Sequence, residues 1–376
     1  MVISEQKQDK HRGFPTIIGT GIAQSRGLRH GYIINAADTS EGIKNAINQA
    51  QKVAGIRVKR AYLSVGGVGL EEIRSRGETT ITRADSEVTD LDIERALKDT
   101  EDRISKRIIN RKILHVIPLR YRLDGEIVLG HPQGMKGSRL EVDTLFVTCL
   151  EQHLNDLIQA VEDAGIEVSD AMASPLAGSF VTLTKTQKIA GCVLANIGAE
   201  TVSIVIFENN VPQSLKVFPI GSTDITHDIA LGLKISLEEA EQIKRGAITN
   251  TDYPKKKLDD IITARLSDIF QLIDAHLKKI EKDELLPAGI ILTGGGSGIA
   301  TIEDLARASL KLPTRTATLH VSNATDKFHT TVRDSSWAVA YGLCIWGFSS
   351  EEESAGIQIA KKTGSNLIAW IKQFLP

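Results

Sequence analysis

Two glycine-bearing turns hold the residues of this chain that can do chemistry. The first is Asn196-Ile197-Gly198-Ala199-Glu200-Thr201, set between two apolar runs, about Ile189 to Ala195 and about Thr201 to Phe207. Gly198 can take positive φ and lets a ligand or another backbone come close. Backbone N–H groups from Ile197 to Thr201 would then cradle the phosphate tail of a nucleotide, although an ordinary core hairpin carries the same pattern. The second is Thr293-Gly294-Gly295-Gly296, which follows an apolar strand, Ala288 to Leu292, and precedes a helix, Ile302 to Leu310. Strand, glycine turn, helix is the order that brings backbone and a helix N-terminus up to a phosphate or nucleoside. A mostly helical block separates the two turns, and together they point to a nucleotide cleft between lobes. No residue is assigned a catalytic role. Cys149, Cys192 and Cys344 are odd in number, far apart and set in apolar runs, which fits buried thiols and neither a disulfide framework nor a metal site.

The elements that must position these turns follow from composition and pattern. The chain has 376 residues, 41% apolar and 24% charged, enough for two or three compact units. A net charge of −2 gives no electrostatic case for nucleic acid. The polar start is no signal peptide, and the apolar run from Ala338 to Phe348 falls well short of the roughly twenty residues of a spanning helix. Short strands are expected at Phe14 to Gly21 and Gly31 to Ile34. A helix opened by Asp38 with Glu41, and a strand from Val58 to Val65, should follow. Residues 68–168 change character and read as an inserted α+β subdomain: a Thr89–Asp92 capping box, strands at Lys112 to Pro118, Tyr121 to Leu123 and Arg139 to Cys149, and a helix from His153 to Ala164. The basic run Arg103 to Lys112 reads as a solvated helix face. Helices are expected after Pro175, at Thr223 to Leu231, Ser236 to Arg245 and Leu258 to Ile280.

The end of the chain is distinctive. Residues 349–364 are polar and linker-like. Beyond them Leu367, Trp370, Ile371, Phe374 and Leu375 fall on one face of a helix, with Lys361, Lys362 and Lys372 nearby. This pattern describes an interfacial helix that dips into an anionic membrane surface. A single tail should bind weakly and several on one assembly should bind well.

The motif series resembles the FtsA family of actin-like bacterial cell-division proteins. KILHVIPLRYRLDG (112–125), ASPLAGSFVTLTKTQKIAGCVLANIG (173–198), FPIGSTDITHDIA (218–230), AEQIK (240–244), GIILTGGGSGI (289–299) and the tail SNLIAWIKQFLP carry the likeness in family order. The resemblance implies an α/β, two-lobed actin-like ATPase fold with duplicated mixed sheets. Residues 1–67 and 169–188 would form the first lobe, N-terminally incomplete, and 68–168 an insert replacing an actin lobe. Residues 189–348 would form the second lobe, helical above at about 235–285, with 365–376 as the membrane helix. It implies binding of the FtsZ tail through Arg265 and Asp268, self-association into filaments, and contact with later division proteins through the insert. The place of action would be the cytoplasmic side of the membrane at the division site.

For ATP, the resemblance implies contacts from Asn196, Gly198, Thr201 and Gly221, from Glu241 and Lys244 to ribose and base, and from Gly294, Gly295 and Gly296 to adenosine. Two departures stand against hydrolysis. The family's first phosphate hairpin, D-I-G-T-S/T-K, has no counterpart, because this chain starts after it. In the second, D-I-G-G-G-T becomes N-I-G-A-E-T: Asn196 is a weaker ligand for hydrated Mg²⁺, Ala199 replaces a glycine, and Glu200 repels phosphate. The expectation is weak or absent ATPase activity, with nucleotide as a structural ligand. A pilus-assembly adaptor of the PilM type shares the fold but needs no apolar tail. An active actin-fold kinase needs a phosphate loop and a catalytic Asp that this chain lacks.

Overall fold

The computed structural model describes residues 1–5, 15–247, 253–319 and 334–356, with side chains up to residue 348. Strands β1 (Val2–Glu5) and β2 (Thr16–Thr20) form an antiparallel pair, and β3 (Leu28–Arg29) and β4 (Tyr32–Ile33) a tight hairpin. Its turn residues His30 and Gly31 both have positive φ, 48° and 92°, as the twist of a two-residue hairpin requires. Helix α1 (Ala36–Ala54) is capped by Asn35, whose side chain accepts from the Asp38 N–H at 3.2 Å. The expected cap, Asp38, lies instead in the first turn, where its charge suits the helix N-terminus. Strand β5 (Arg60–Val65) ends at the Gly66-Gly67 turn.

The insert is an antiparallel sheet of β6 (Glu71–Thr80), β7 (Arg111–Leu123), β8 (Glu126–Val128) and β9 (Arg139–Leu150), ordered β6-β9-β7-β8. One face carries α2 (Asp90–Ile104), started by the Thr89–Asp92 capping box. A Cβ on Gly77 would meet the Ala96 carbonyl at 2.4 Å, so this glycine is what lets helix and strand approach. Strand β7 continues through Leu119 and Arg120, where the sequence reading placed a gap, with register shifts on β9 between Ile113 and His115 and between Pro118 and Arg120. At Pro118 the ladder with β8 has not yet begun. Helix α3 (Glu151–Asp163) packs on α1 through Val161, Ile47 and Ile166. Leu154 shares a second core with Ile117, Leu145 and Val147 of the insert, so α3 lies between the insert and α1. Strand β10 (Glu167–Ala173) then pairs parallel with β5.

Helices α4 (Ser174–Thr182) and α5 (Lys185–Ala190) lead into the second lobe. The expected strand from Ile189 begins only at Cys192, because a Thr184–Gln187 capping box holds Lys185–Ala190 in helix and Gly191 turns the chain at φ 103°. The central sheet contains β11 (Cys192–Ile197), β12 (Val202–Glu208), β13 (Val211–Phe218), β14 (Ile290–Thr293) and β15 (Thr314–Thr316), ordered β13-β12-β11-β14-β15. The first three are antiparallel, and β11, β14 and β15 are parallel. Val193, Ala195 and Ile197 face a core built with α6 (Ser222–Leu233), α7 (Leu237–Lys244), α8 (Lys255–Lys279) and α9 (Ile302–Leu310). Cys192 and Leu194 face the opposite core, with α4 and α10 (Ala338–Gly356). Cover on both faces is why β11 and β12 read as continuous apolar runs. Each large side chain buried there, such as Phe270, contributes roughly 1.5–3 kcal/mol.

The second lobe thus has the expected mixed sheet. Among the described residues the first lobe has three separate two-stranded pieces, β1–β2, β3–β4 and β5–β10. All three cysteines are free, and burial raises the thiols of Cys149 to about 11 and Cys192 to about 12. Among the described residues no helix is long and apolar enough to cross a membrane. The tail residues Lys361, Lys362, Leu367, Trp370, Ile371, Lys372, Phe374 and Leu375 lie outside the described residues.

Candidate functional site

The turn after β11 is closed by the Gly198 N–H donating to the Thr201 carbonyl at 2.9 Å. Gly198 is not among the positive-φ glycines, contrary to the expectation. Its need for glycine is steric, since a Cβ would lie 2.9 Å from the Thr201 oxygen. The turn is stapled to the start of α6. Ser222 N–H donates to the Gly198 carbonyl at 2.9 Å, and Thr223 N–H to that of Ala199 at 2.8 Å. A Cβ on Gly221 would sit 2.3 Å from the Ala199 oxygen, and the Gly221 N–H is taken by the Asp224 carboxylate at 2.8 Å. The opening N–H groups of α6, which otherwise make a helix start attractive to anions, are therefore engaged.

The second glycine turn meets the first. Gly294, at φ 87°, would place a Cβ 2.3 Å from Asn196 Oδ1 and 2.6 Å from the Ile197 carbonyl oxygen. Gly296 is equally close to Ile197, while Gly295 is exposed. Ser297 Oγ donates to the Gly294 carbonyl at 2.7 Å and pairs with Ser335 Oγ at 3.0 Å, which pins the turn from behind. Glu241 and Lys244 sit on α7 above α6. The Glu241 carboxylate accepts from Thr226 Oγ1 and pairs with Lys244 Nζ, both at 2.6 Å, and Lys244 also reaches the Ser222 carbonyl at 3.0 Å. Burial acts to raise the Glu241 carboxyl, but hydrogen bonds from Lys244, Thr226 and Arg245 outweigh it and hold the group below its ordinary range. The structure thus brings Asn196, Gly198, Thr201, Gly221, Gly294 and Gly296 together, with Glu241 and Lys244 joined to them through Ser222.

One participant was not visible in the sequence. The Glu200 carboxylate accepts the backbone N–H of His30, from the β3–β4 hairpin, at 2.5 Å, and His30 Nδ1–H donates to the Glu200 carbonyl at 3.0 Å. A triphosphate with hydrated Mg²⁺ needs free backbone donors and an anionic oxygen to hold the metal's waters. Here the donors at α6 are engaged, Asn196 is neutral and packed on Gly294, and a carboxylate occupies the facing N–H. The phosphate side of this cleft does not fit that group.

Arg265 and Asp268 lie apart from the cleft on α8. Arg265 makes a two-pronged pair with Asp228 of α6, Nε to Oδ2 at 2.7 Å and Nη2 to Oδ1 at 3.0 Å, and Asp268 stands 3.5 Å away. The Asp228 hydrogen bonds raise the guanidinium further above its already high range. Asp228 was also missed: it lies within the 218–230 motif, but nothing there shows that α8 brings Arg265 beside it.

Two family models match the chain: "Cell division protein FtsA" over residues 193–342, and "SHS2 domain inserted in FTSA" over residues 67–148. Among curated proteins, the cell division protein FtsA of Pseudomonas aeruginosa is 29% identical over 372 residues, covering 93% of this chain and 87% of that protein. That of Bacillus subtilis is 29% identical over 322 residues, covering 80% and 72%. Among solved structures, a PilM–PilN type IV pilus biogenesis complex superposes with a TM-score of 0.66 at 18% identity, covering 89% of this chain and 92% of that one, a likeness of fold alone. Lobes, cleft and insert define an actin-like protein of α/β class with an SHS2 subdomain set into its first lobe. The two matched segments together take in well over half the sequence, and the chain belongs to the FtsA family.

Proposed function

We propose that this protein is a division scaffold that tethers FtsZ filaments to the cytoplasmic face of the cell membrane, assembles into actin-like polymers at the septum, and recruits later division proteins through its insert. The observation that carries this reading is the presence, in one chain, of both FtsA-type segments, matched also to relatives named as cell division proteins. Membrane attachment falls to the apolar face of residues 365–376, and FtsZ recognition to Arg265 and Asp268. ATP and Mg²⁺, where they bind, act as a weak structural ligand. Glu200 and Asn196 support a role in attachment rather than turnover.

The test is co-flotation. Full-length protein should carry FtsZ filaments up a density gradient with vesicles containing anionic lipid, and a chain lacking 365–376 should leave both at the bottom while still binding FtsZ. Retained flotation after that deletion overturns the tether, and loss of FtsZ from the floating full-length protein overturns the partner.

A further inference from the structure

The insert is rooted where the β3–β4 hairpin meets the glycine-rich link after β5. The chain enters the insert through Gly66, Gly67 and Gly69 and leaves it where β9 passes into α3. His30 serves both this root and the cleft. Glu200 holds its N–H and its ring, while its carbonyl accepts the Val68 N–H at 3.1 Å. Gly31 and Gly67 touch so closely that a Cβ on either would strike the other's Cα, and both have positive φ, 92° and 86°. A hairpin that moves toward the link must therefore push it. Two side chains brace the root. Arg111 of β7, mostly buried, donates from Nη2 to the Gly69 carbonyl at 2.7 Å and from Nε to Thr148 Oγ1 of β9 at 2.9 Å, so one guanidinium clasps the way in and the way out. His153 Nε2–H donates to the Gly66 carbonyl at 3.3 Å, and its ring packs on Tyr32 of the hairpin at 4.8 Å.

We propose that the β3–β4 hairpin is a lever that couples the cleft turn to the root of the insert. When Glu200 lets go of His30, the bond from Val68 to His30 loosens. When the root is loosened, Glu200 loses its hold on His30. Coupling of this kind acts equally in both directions. The hairpin suits the part because its strands have two residues each, too short for a stable position of its own, so its place is set by the contacts at its two ends. The use of the lever rests on the proposed docking of division partners at the insert: a partner seated there would be felt at Glu200. The coupling itself does not rest on that reading.

Hydrogen exchange read at single amides of the full chain, with no ligand added, tests both directions. Glu200→Ala should speed exchange of the Val68 amide about tenfold, although Glu200 bonds to His30 and not to Val68, while Ile204 and Ile206 of β12 keep their wild-type rates. Arg111→Lys keeps a charge beside Glu71 but cannot fork between Gly69 and Thr148. It should speed the His30 amide by about the same tenfold factor. Asp228→Asn, on α6, should move neither amide. Wild-type rates at Val68 in Glu200→Ala, or at His30 in Arg111→Lys, overturn the proposal. So does faster exchange that reaches β12 equally, which marks general loosening of the fold, or an equal response to Asp228→Asn. None of these readouts involves FtsZ, a membrane or nucleotide, so failure here leaves the tethering reading standing.

Discussion

Glu200 and His30, 170 residues apart, are joined twice: the Glu200 side chain accepts the His30 N–H, and the His30 ring donates to the Glu200 carbonyl. The pairing puts a carboxylate of the protein's own where the resemblance calls for a phosphate. It also ties a hairpin of the first lobe to the turn of the second.

Glu200→Gly tests this directly. The variant should lose about 1.5–3 kcal/mol of stability, the range for a hydrogen bond to a charged group. Its affinity for labelled ATP should rise by about tenfold, equivalent to about 1.4 kcal/mol. Wild-type protein should bind ATP weakly. Turnover at low-micromolar affinity in the wild type, or no gain in the variant, contradicts the assignment.

Gly294→Ala probes the meeting of the two turns. At φ 87°, with Asn196 Oδ1 and the Ile197 carbonyl inside contact distance of any Cβ, alanine must push β11 and β14 apart. A loss of about 1–3 kcal/mol is expected from overpacking and backbone strain, read as an earlier midpoint in urea. An unchanged midpoint shows that the turn is looser than described.

The Arg265–Asp228 pair allows a test of the proposed FtsZ contact. An acidic tail must compete with Asp228 for the guanidinium, so Arg265→Ala should weaken an FtsZ tail peptide by about tenfold and Asp228→Asn should strengthen it. Fluorescence polarisation at low and high salt measures both, and the gain from Asp228→Asn should shrink as salt rises. Equal affinities across all three proteins remove Arg265 from the interface.

Acid sensitivity should centre on His115. Its Nε2 accepts the Ala173 N–H at 3.0 Å in full burial, and that burial lowers its pKa to about 3. The unfolded chain binds the proton near 6.5, so between these values the unfolded state carries more protons and stability falls as pH drops from about 6.5 toward 3. The slope from this one group is at most about 1.4 kcal/mol per pH unit. His115→Gln, which keeps an acceptor but cannot charge, should flatten that limb in denaturation curves taken at several pH values. His276, lowered to about 4 by burial and then by Lys216, Lys279 and Arg74, should account for much of the slope that remains.

Legibility followed the range of the forces involved. The helix Ile302–Leu310 and the Thr89–Asp92 box were readable because capping and a 3.6-residue stripe act within one turn. The strands of the central sheet were readable because both faces are buried. Strand β10 was not: Glu167, Ser169 and Asp170 are exposed and hide its alternation. The phosphate-side substitutions could be seen in the sequence, but their partners could not. His30 lies in an unremarkable hairpin turn, and Asp228 looks like any exposed acid on a helix until α8 brings Arg265 beside it.

The Tyr341 hydroxyl donates to the Pro15 carbonyl at 2.8 Å, and Gly342 lets α10 lie so close to α4 that a Cβ would strike the Ala177 oxygen at 1.9 Å. A pull applied at the far end of α10 would run lengthwise along that seam. Side-by-side surfaces loaded this way must slide as a whole before they part, so the joint yields in shear instead of unzipping one contact at a time. A load entering at α10 would meet α4 along that seam, and α4 in turn lies against β11 and β12 of the central sheet.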